Sequence, residues 1–232
     1  MSEYNRILVK ISGEALSGGG HGIQTFNVRT VADEIIEVVE KGVQVGVVVG
    51  GGNFWRGRSS SEMDRGIADN IGMLATVMNA LALSDALTLQ DVKNKVVSSV
   101  NIDKIARTYT LAEVRSFLDE GNVVIFAGGT GAPFFSTDTA AVLRACEINA
   151  DAVFCAKAVD GVYDDDPNEN PHAVKYDEVS YDTIIYNNLK ALDVTAIALA
   201  REFGIEIVAY SKDEPHGIAR VIDGETLGTV IK

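Results

Sequence analysis

Three glycine-rich turns, each placed directly after a short apolar run, constrain the fold of this chain more than any other feature. The turns are Ser12-Gly13, Gly50-Gly51-Gly52-Asn53 and Gly128-Gly129-Thr130-Gly131. The runs before them are rich in β-branched residues, and amphipathic stretches of helical period lie between them. This alternation is typical of βα units around a mainly parallel sheet, so the sequence predicts an α/β fold.

The same patterns place the individual elements along the chain. Apolar runs predict strands at residues 6–11, 43–49, 95–100, 123–126, 152–155 and 205–209, and a closing strand near Thr229. Capping and periodicity predict helices after Asn27, after Ser61 and Asp64, after the Thr110–Glu113 capping box, at 137–149 and at 192–203. The Asp-, Asn-, Gly- and Pro-rich segment 160–171 predicts a surface loop and is the best candidate for a boundary between two lobes of a single domain.

Composition narrows the class of protein. A net charge of −13 argues against non-specific binding to nucleic acid, because phosphate repulsion is not compensated in bulk. The two cysteines, Cys146 and Cys155, are typical of a reducing compartment, and the N-terminal segment shows no apolar signal region. No apolar run is expected to reach transmembrane length, and the three histidines show no metal-ligand spacing. These features predict a cytoplasmic protein without a metal centre, a membrane segment or a nucleic-acid partner.

The three turns are expected to meet at one crevice. The carboxyl ends of parallel strands share one edge of a sheet, so the turns that follow them converge there. Glycine lets the backbone approach a ligand closely, and the helices that follow direct N–H groups at anions. The sequence lacks a Walker pattern and a G-x-G-x-x-G turn. It therefore predicts a phosphate-binding crevice of another kind, and disfavours a P-loop kinase and a dinucleotide oxidoreductase.

Two cations are candidates for phosphate neutralisation. Lys10 lies in the first apolar strand, close to Gly13, where an ammonium needs a partner or a ligand. The alternative is a strand-end lysine whose ammonium reaches water. Arg56 follows the second glycine turn, and the alternative for it is a solvated loop arginine.

Three carboxylates accompany these cations. Asp138 opens the helix after the third turn, where capping is an alternative role. Asp69 lies within the predicted long helix and is otherwise a solvated surface residue. Asp193 lies among apolar residues, where burial requires a partner, and Lys10 is the partner expected for it.

Several motifs together resemble the amino acid kinase superfamily and, within it, the bacterial uridylate kinases. The similarity spans essentially the whole chain. The motifs are Val9-Lys10-Ile11-Ser12-Gly13-Glu14-Ala15-Leu16, Gly50-Gly51-Gly52-Asn53 with Arg56-Gly57, Asp69-Asn70-Ile71-Gly72-Met73-Leu74-Ala75-Thr76, Gly129 through Pro133-Phe134-Phe135 to Thr137-Asp138, and Asp160-Gly161-Val162-Tyr163 with Asp166-Pro167.

The resemblance implies a three-layer α/β/α sandwich, the amino acid kinase fold, that converts UMP and ATP to UDP and ADP. It also implies Mg²⁺ carried with ATP, a homohexamer, and GTP and UTP as effectors. The lobe at about 1–155 would bind the acceptor and the lobe at about 156–232 would bind ATP. By motif matching, the catalytic residues would be Lys10, Arg56, Asp138 and Asp193, with Asp193 orienting Lys10.

The binding residues follow from the same matching. ATP would be held by Lys10, Ser12, Gly13, Gly52, Arg56, Tyr163 and Asp166. UMP would be held by Gly51, Asp69, Thr130, Gly131, Ala132, Pro133, Phe134, Phe135, Ser136 and Thr137. The family usually has Asn at the position of Ala132, and the segment Ala156-Lys157-Ala158-Val159 also departs from its pattern.

Two rival functions stay open at this stage. One is another amino acid kinase that phosphorylates a carboxylate or carbamate, although such an acceptor favours a cation at the position of Asp69. The other is a non-catalytic nucleotide-binding storage protein of the same fold, which has no need of Lys10 or Asp138.

Overall fold

The computed structural model describes residues 4–55 and 62–232. Eight strands form one sheet in the order β3-β4-β2-β1-β5-β9-β10-β8, and a two-stranded hairpin joins β6 to β7. The strands are β1 (Arg6–Ile11), β2 (Gln44–Val49), β3 (Asn94–Ser98), β4 (Val123–Ala127), β5 (Ala152–Lys157), β6 (Val162–Tyr163), β7 (Lys175–Tyr176), β8 (Glu178–Val179), β9 (Glu206–Ser211) and β10 (Thr229–Ile231).

Helices cover both faces of this sheet. They are α1 (Gly13–Ser17), α2 (Thr25–Glu40), α3 (Arg65–Thr88), α4 (Leu111–Asp119), α5 (Thr137–Ile148), α6 (Tyr181–Tyr186), α7 (Val194–Phe203) and α8 (Gly217–Ile222). One hydrophobic core lies between the sheet and α1, α2, α3 and α8. The other lies between the sheet and α4, α5, α6 and α7. The predicted three-layer α/β/α sandwich is confirmed.

Strand β1 lies at the centre and determines which side chains face each core. It pairs in parallel with β2 on one side and with β5 on the other. Because side chains alternate along a strand, Val9 and Ile11 enter the α2-side core while Leu8 enters the opposite core. Lys10 therefore projects to the same side of the sheet as α5. Only β10 runs antiparallel to its neighbour β9 among the strand pairs described in this sheet.

Helix starts follow the capping chemistry that the sequence shows, with one exception. Thr110 and Glu113 form the predicted capping box at α4. The Asp64 side chain accepts a hydrogen bond from Ile67 N at the start of α3, whereas Ser61 lies outside the described residues. The prediction that Asn27 caps α2 is wrong, because the helix already begins at Thr25.

Several short elements were not predicted. The loop predicted at 160–171 contains β6, and α1, α6 and α8 had no clear periodic signal. These elements have at most six residues each, which is too short for a helical or strand period to stand out. The lobe boundary predicted after residue 155 falls within β5, in the middle of the sheet.

Helix α3 is longer and more apolar than the sequence analysis expected of any segment. With 24 residues and a mean hydropathy of 1.4 in its best window, it is long and apolar enough to cross a membrane by length and composition alone. About 44% of that window is buried inside the protein, and a core helix meets the same test. The expectation that no apolar run reaches this length was therefore wrong, although the helix packs on the sheet.

Candidate active site

The first two glycine turns meet in direct contact at the carboxyl edge of the sheet. A side-chain Cβ at Gly13 would lie 2.7 Å from the backbone nitrogen of Gly52, so only glycine fits there. Gly50 N donates a hydrogen bond of 2.8 Å to Ile11 O. The buried Asn79 side chain of α3 donates to Gly50 O at 2.7 Å and to Asn53 Oδ1 at 2.7 Å. These contacts show that the first two of the three predicted turns meet at one edge of the sheet.

An ionic cluster of Lys10, Asp138 and Lys157 lies beside these turns. Lys10 Nζ is 3.1 Å from Asp138 Oδ1, and Lys157 Nζ is 3.1 Å from Asp138 Oδ2. The side chains of Lys10 and Asp138 are 11% and 14% exposed. Asp138 is in the first turn of α5, and Lys157 ends β5, the strand next to β1. The cluster therefore consists of two ammonium groups held by one carboxylate, with one net positive charge.

The pKa shifts of Asp138 and Lys10 favour the charged forms of these two groups. Burial alone would raise the pKa of Asp138, but the ammonium groups of Lys10 and Lys157 outweigh it and hold that pKa below its usual range. Burial would likewise lower the pKa of Lys10, and the Asp138 carboxylate reverses this and raises it. Burial raises the pKa of the neighbouring Cys155 thiol to about 11, so this group stays neutral.

A cavity of about 450 Å³ opens next to the cluster, between α3 and the loop before α5. We call it the acceptor cavity. Asp69 lies in its wall, with both carboxylate oxygens 2.9 Å from Nε of Arg65. Asp69 Oδ2 also accepts a 2.8 Å hydrogen bond from Phe134 N, which ties α3 to the loop. Asp69 is thus held in place rather than solvated on the helix surface.

Some of the predicted acceptor-binding residues line the acceptor cavity, and the others lie in the adjoining loop before α5. Gly51, Asp69, Thr130, Ala132, Phe135, Ser136 and Thr137 line the cavity. Gly131, Pro133 and Phe134 are in the same loop but not in the lining. Phe134 has a φ of 74° and a mostly exposed ring, and its contribution is the backbone bond to Asp69. The Ser136 hydroxyl accepts from Thr139 N and so caps α5.

Tyr163 and Asp166 lie in a separate cavity of about 350 Å³ between the β6–β7 hairpin and the segment before α7. The Tyr163 hydroxyl donates to Asp160 Oδ1 at 2.6 Å. Lys190 Nζ lies 3.0 Å from Asp166 Oδ2. The two predicted residues therefore line one cavity.

Other predicted residues have different positions. Arg56 lies outside the described residues. Ser12 caps α1, its Oγ accepting from Ala15 N. Asp193 is the N-cap residue of α7 and not a residue of an apolar helix interior. The ion pair of Lys10 is with Asp138, so the expectation that Asp193 orients Lys10 is not supported by this geometry.

Three residues of the site were not singled out from the sequence. Lys157 was noted only as part of a segment that departs from the family pattern, although a lysine that ends an apolar strand is the same signal that identified Lys10. Arg65 precedes Asp69 by four residues, a spacing that pairs opposite charges on a helix. Trp55 lines the acceptor cavity, and its buried Nε1 has no hydrogen-bond partner among the described residues.

Comparison with known proteins agrees with the fold. A model of the amino acid kinase family matches residues 5–210, and the chain belongs to that family. The chain is 47% identical over 234 residues to a uridylate kinase of Limosilactobacillus reuteri, covering 99% of this chain and 98% of that protein. The resemblance to the uridylate kinases is thus confirmed.

Solved structures of UMP kinases share the whole fold. The UMP kinase of Bacillus anthracis has a TM-score of 0.95 at 38% identity, covering 99% of this chain and 96% of that one. The UMP kinase of Ureaplasma parvum has a TM-score of 0.91 at 36% identity, covering 98% of each chain. The uridylate kinase of Archaeoglobus fulgidus has a TM-score of 0.73 at 26% identity over both full lengths.

Proposed function

We propose that this protein transfers the γ-phosphate of ATP to UMP and releases UDP and ADP. The observation that carries the proposal is the Lys10–Asp138–Lys157 cluster, which lies beside two glycine turns and near a cavity of nucleotide size. Nearly full-length similarity to uridylate kinases supports the choice of acceptor.

The chemistry follows from charge. The second pKa of a phosphate monoester is about 6, so the attacking oxygen of UMP is mostly deprotonated at neutral pH without a general base. Catalysis then depends on aligning two polyanions and neutralising the charge that develops on the transferred group. Lys10 and Lys157 supply fixed cations, Gly13 and Gly52 supply close backbone approach, and Asp138 holds both ammonium groups in place.

The acceptor cavity favours a ribose over a carboxylate. In our proposal Asp69 accepts hydrogen bonds from the ribose hydroxyls, and Arg65 orients its carboxylate. The cavity-lining part of segment 130–137 contacts the base and the phosphate of UMP. A carboxylate acceptor would face repulsion from Asp69, which disfavours the carboxylate and carbamate kinases.

The ATP site in our proposal extends from the cluster to the pocket of Tyr163 and Asp166. The phosphates lie at Ser12, Gly13 and Gly52, with Arg56 as a further predicted contact, and the nucleoside lies at the hairpin. The nucleoside pocket thus belongs to the proposed ATP lobe at about 156–232, whereas the phosphate contacts come from the proposed acceptor lobe at about 1–155. Asp193, at the start of α7, stays a proposed catalytic residue near this region.

Mg²⁺ is proposed to enter with ATP. Among residues 4–55 and 62–232, no group of three or more His, Cys, Asp or Glu side chains is arranged to hold a metal ion. Both oxygens of Asp138 are already paired with lysines. This set fits a Mg²⁺ ion that is held mainly by the substrate phosphates and water, which is a common arrangement for this ion. Mg²⁺ would add charge neutralisation to that of the lysines.

A homohexamer in the cytoplasm is the proposed form of the enzyme. Helix α3 exposes a stripe of large apolar side chains on its outer face: Ile67, Leu74, Met78 and Leu81. A stripe of this kind is typical of a surface that is covered in an oligomer. Both cysteines are free thiols, which fits a reducing compartment. Regulation by GTP and UTP stays a prediction from the resemblance.

The test is ADP release from Mg-ATP with UMP, CMP, carbamate and acetylglutamate supplied in parallel. We expect strong turnover with UMP and little with the other three. Turnover with carbamate or acetylglutamate instead would assign another amino acid kinase activity. Tight ATP binding without turnover on any acceptor would favour a storage or regulatory role.

A further inference from the structure

A third cavity, of about 400 Å³, lies on the opposite face of the sheet from the ionic cluster. It is enclosed by α1, α2, the ends of β1 and β9, and α8, and we call it the α2–β9 cavity. Val9, Ile11 and Ile35 form its apolar floor and belong to the α2-side core. Lys10 lies at its rim, but the Lys10 ammonium is on the other side of the sheet with Asp138. The cavity therefore borders the proposed ATP phosphate site at Ser12, while most of its wall lies on the opposite face of the sheet.

The Tyr210 side chain in this cavity is buried without a hydrogen-bond partner. It is only 4% exposed, and within the described part of the chain its hydroxyl makes no hydrogen bond. A Cβ at Gly217 would lie 2.8 Å from Tyr210 Cε2, so α8 packs directly against the ring and fixes it. The ring is buried, but the hydroxyl oxygen opens into the cavity. There it can exchange hydrogen bonds with a ligand.

Glu34 supplies a carboxylate in the same wall. It is half-buried on α2, and among the described residues its side chain has no hydrogen bond and no ion pair. Burial, followed by repulsion from Glu37, raises the pKa of Glu34. The negative charge of Glu34 in turn adds to burial in raising the pKa of Tyr210. Both shifts show that the two groups lie near each other. His216 offsets part of the shift of Glu34, but its Nδ1 is paired with Glu37.

The charge balance of the wall favours a positive ligand. Its acidic residues are Glu14, Glu34 and Asp213, and Lys212 Nζ is already 2.8 Å from Asp213 Oδ1. A bound anion would meet this excess of carboxylates, whereas an ammonium group would complete the coordination of Glu34 and Tyr210. The apolar floor beneath these groups accepts an aliphatic or aromatic stem.

We propose that the α2–β9 cavity binds a small organic cation, in which a primary ammonium group is carried on an apolar stem. The ammonium donates to the Glu34 carboxylate and the Tyr210 hydroxyl, and the stem packs on Val9, Ile11 and Ile35. Since the cavity lies directly behind the Ser12-Gly13 turn, the ligand contacts the backbone region that precedes the proposed phosphate site.

Three probes of the same shape and different charge test this proposal by isothermal titration calorimetry without nucleotide. They are phenethylamine, 2-phenylethanol and 3-phenylpropionate. We expect saturable binding of phenethylamine only, weakened about tenfold or more by Glu34→Gln and about threefold or more by Tyr210→Phe. Glu40→Gln, an exposed acid on the same helix outside this cavity, serves as the matched control and should bind like wild type.

The acceptor cavity also contains a carboxylate, Asp69, so the location of the probe needs its own control. Saturating UMP should leave the affinity for phenethylamine unchanged if the probe binds at Glu34. Competition by UMP, equal affinity of the alcohol, or wild-type affinity in Glu34→Gln would each overturn the proposal. No saturable binding of the amine up to about 20 mM, far above the usual range of specific small-ligand sites, would do the same.

Discussion

Replacement of Lys157 by Met is the most informative test of the ionic cluster. The substitution keeps most of the side-chain length and removes one of the two ammonium groups paired with Asp138. Lys10 still pairs with the other carboxylate oxygen, so the carboxylate keeps a partner and the fold is expected to survive. The change therefore isolates the effect of one positive charge at the proposed transfer site.

The expected loss is a reduction in kcat rather than an increase in KM. A preorganised group that stabilises developing charge contributes about 10²–10³ in kcat, or roughly 3–4 kcal/mol of transition-state stabilisation. The cluster changes from one net positive charge to none, and its side chains are mostly buried, so bulk water screens the loss only weakly. We expect kcat for UMP to fall within that range, with the KM for UMP changed less than about fivefold.

Steady-state kinetics with UMP and Mg-ATP measure the effect, with two control variants. Lys157→Arg keeps the charge and should recover part of kcat. Lys41→Met removes a lysine that also pairs with an aspartate, but on the surface of α2, and should leave kcat unchanged. Wild-type kcat in Lys157→Met would refute the role of this lysine in charge neutralisation.

Four further predictions concern the rest of the site and the assembly. Lys10→Ala should lower kcat far more than it raises the KM for UMP, and wild-type turnover would contradict its assignment. Asp69→Asn should raise the KM for UMP about tenfold or more in the same assay, because a charged acceptor of ribose hydrogen bonds is lost. The pKa of Asp138 is lowered in the folded protein, so its charge stabilises the fold above the unfolded pKa of 3.8, and this stabilisation is lost as the pH falls through the folded pKa. In urea unfolding, the difference in unfolding free energy between wild type and Asp138→Asn should therefore shrink below about pH 4. Leu74→Glu on the exposed stripe of α3 should reduce the mass measured by light scattering, and an unchanged oligomer would exclude this face from the assembly.

The fold was predictable where the sequence carries a long or unambiguous signal. The buried parallel strands appear as continuous apolar runs, and the capping box at Thr110 has a specific spacing, so both were located correctly. The start of α2 was misplaced because Gln24 precedes the helix without a side-chain cap, and Asn27 offered a better-looking but false cap. Local capping preferences are weak compared with the burial of the apolar face of a helix.

The candidate site was predictable as a location but not as a set of contacts. Glycine turns after strands identified the edge of the sheet, because strand order alone brings them together. The partner of Lys10 was predicted wrongly as Asp193, since Asp138 and Asp193 both lie in the first turn of a predicted helix. The alternation of β1 directs Lys10 to the face that carries both α5 and α7, and the packing of α5 against β1 makes Asp138 the partner. The second ammonium, Lys157, joins the cluster because β5 is hydrogen-bonded to β1.

Helix α3, through Asn79, connects the second glycine turn of the site to the exposed apolar stripe on the outside of the protein. Its side chain holds the second glycine turn from the inner face of α3, while the outer face of the same helix carries the exposed apolar stripe. Close packing reinforces the link, because a Cβ at Gly51 would lie 2.6 Å from the carbonyl oxygen of Gly72. The second glycine turn is therefore packed rigidly against α3. If a neighbouring subunit shifted this helix by a fraction of an ångström, the second glycine turn would move by a similar amount.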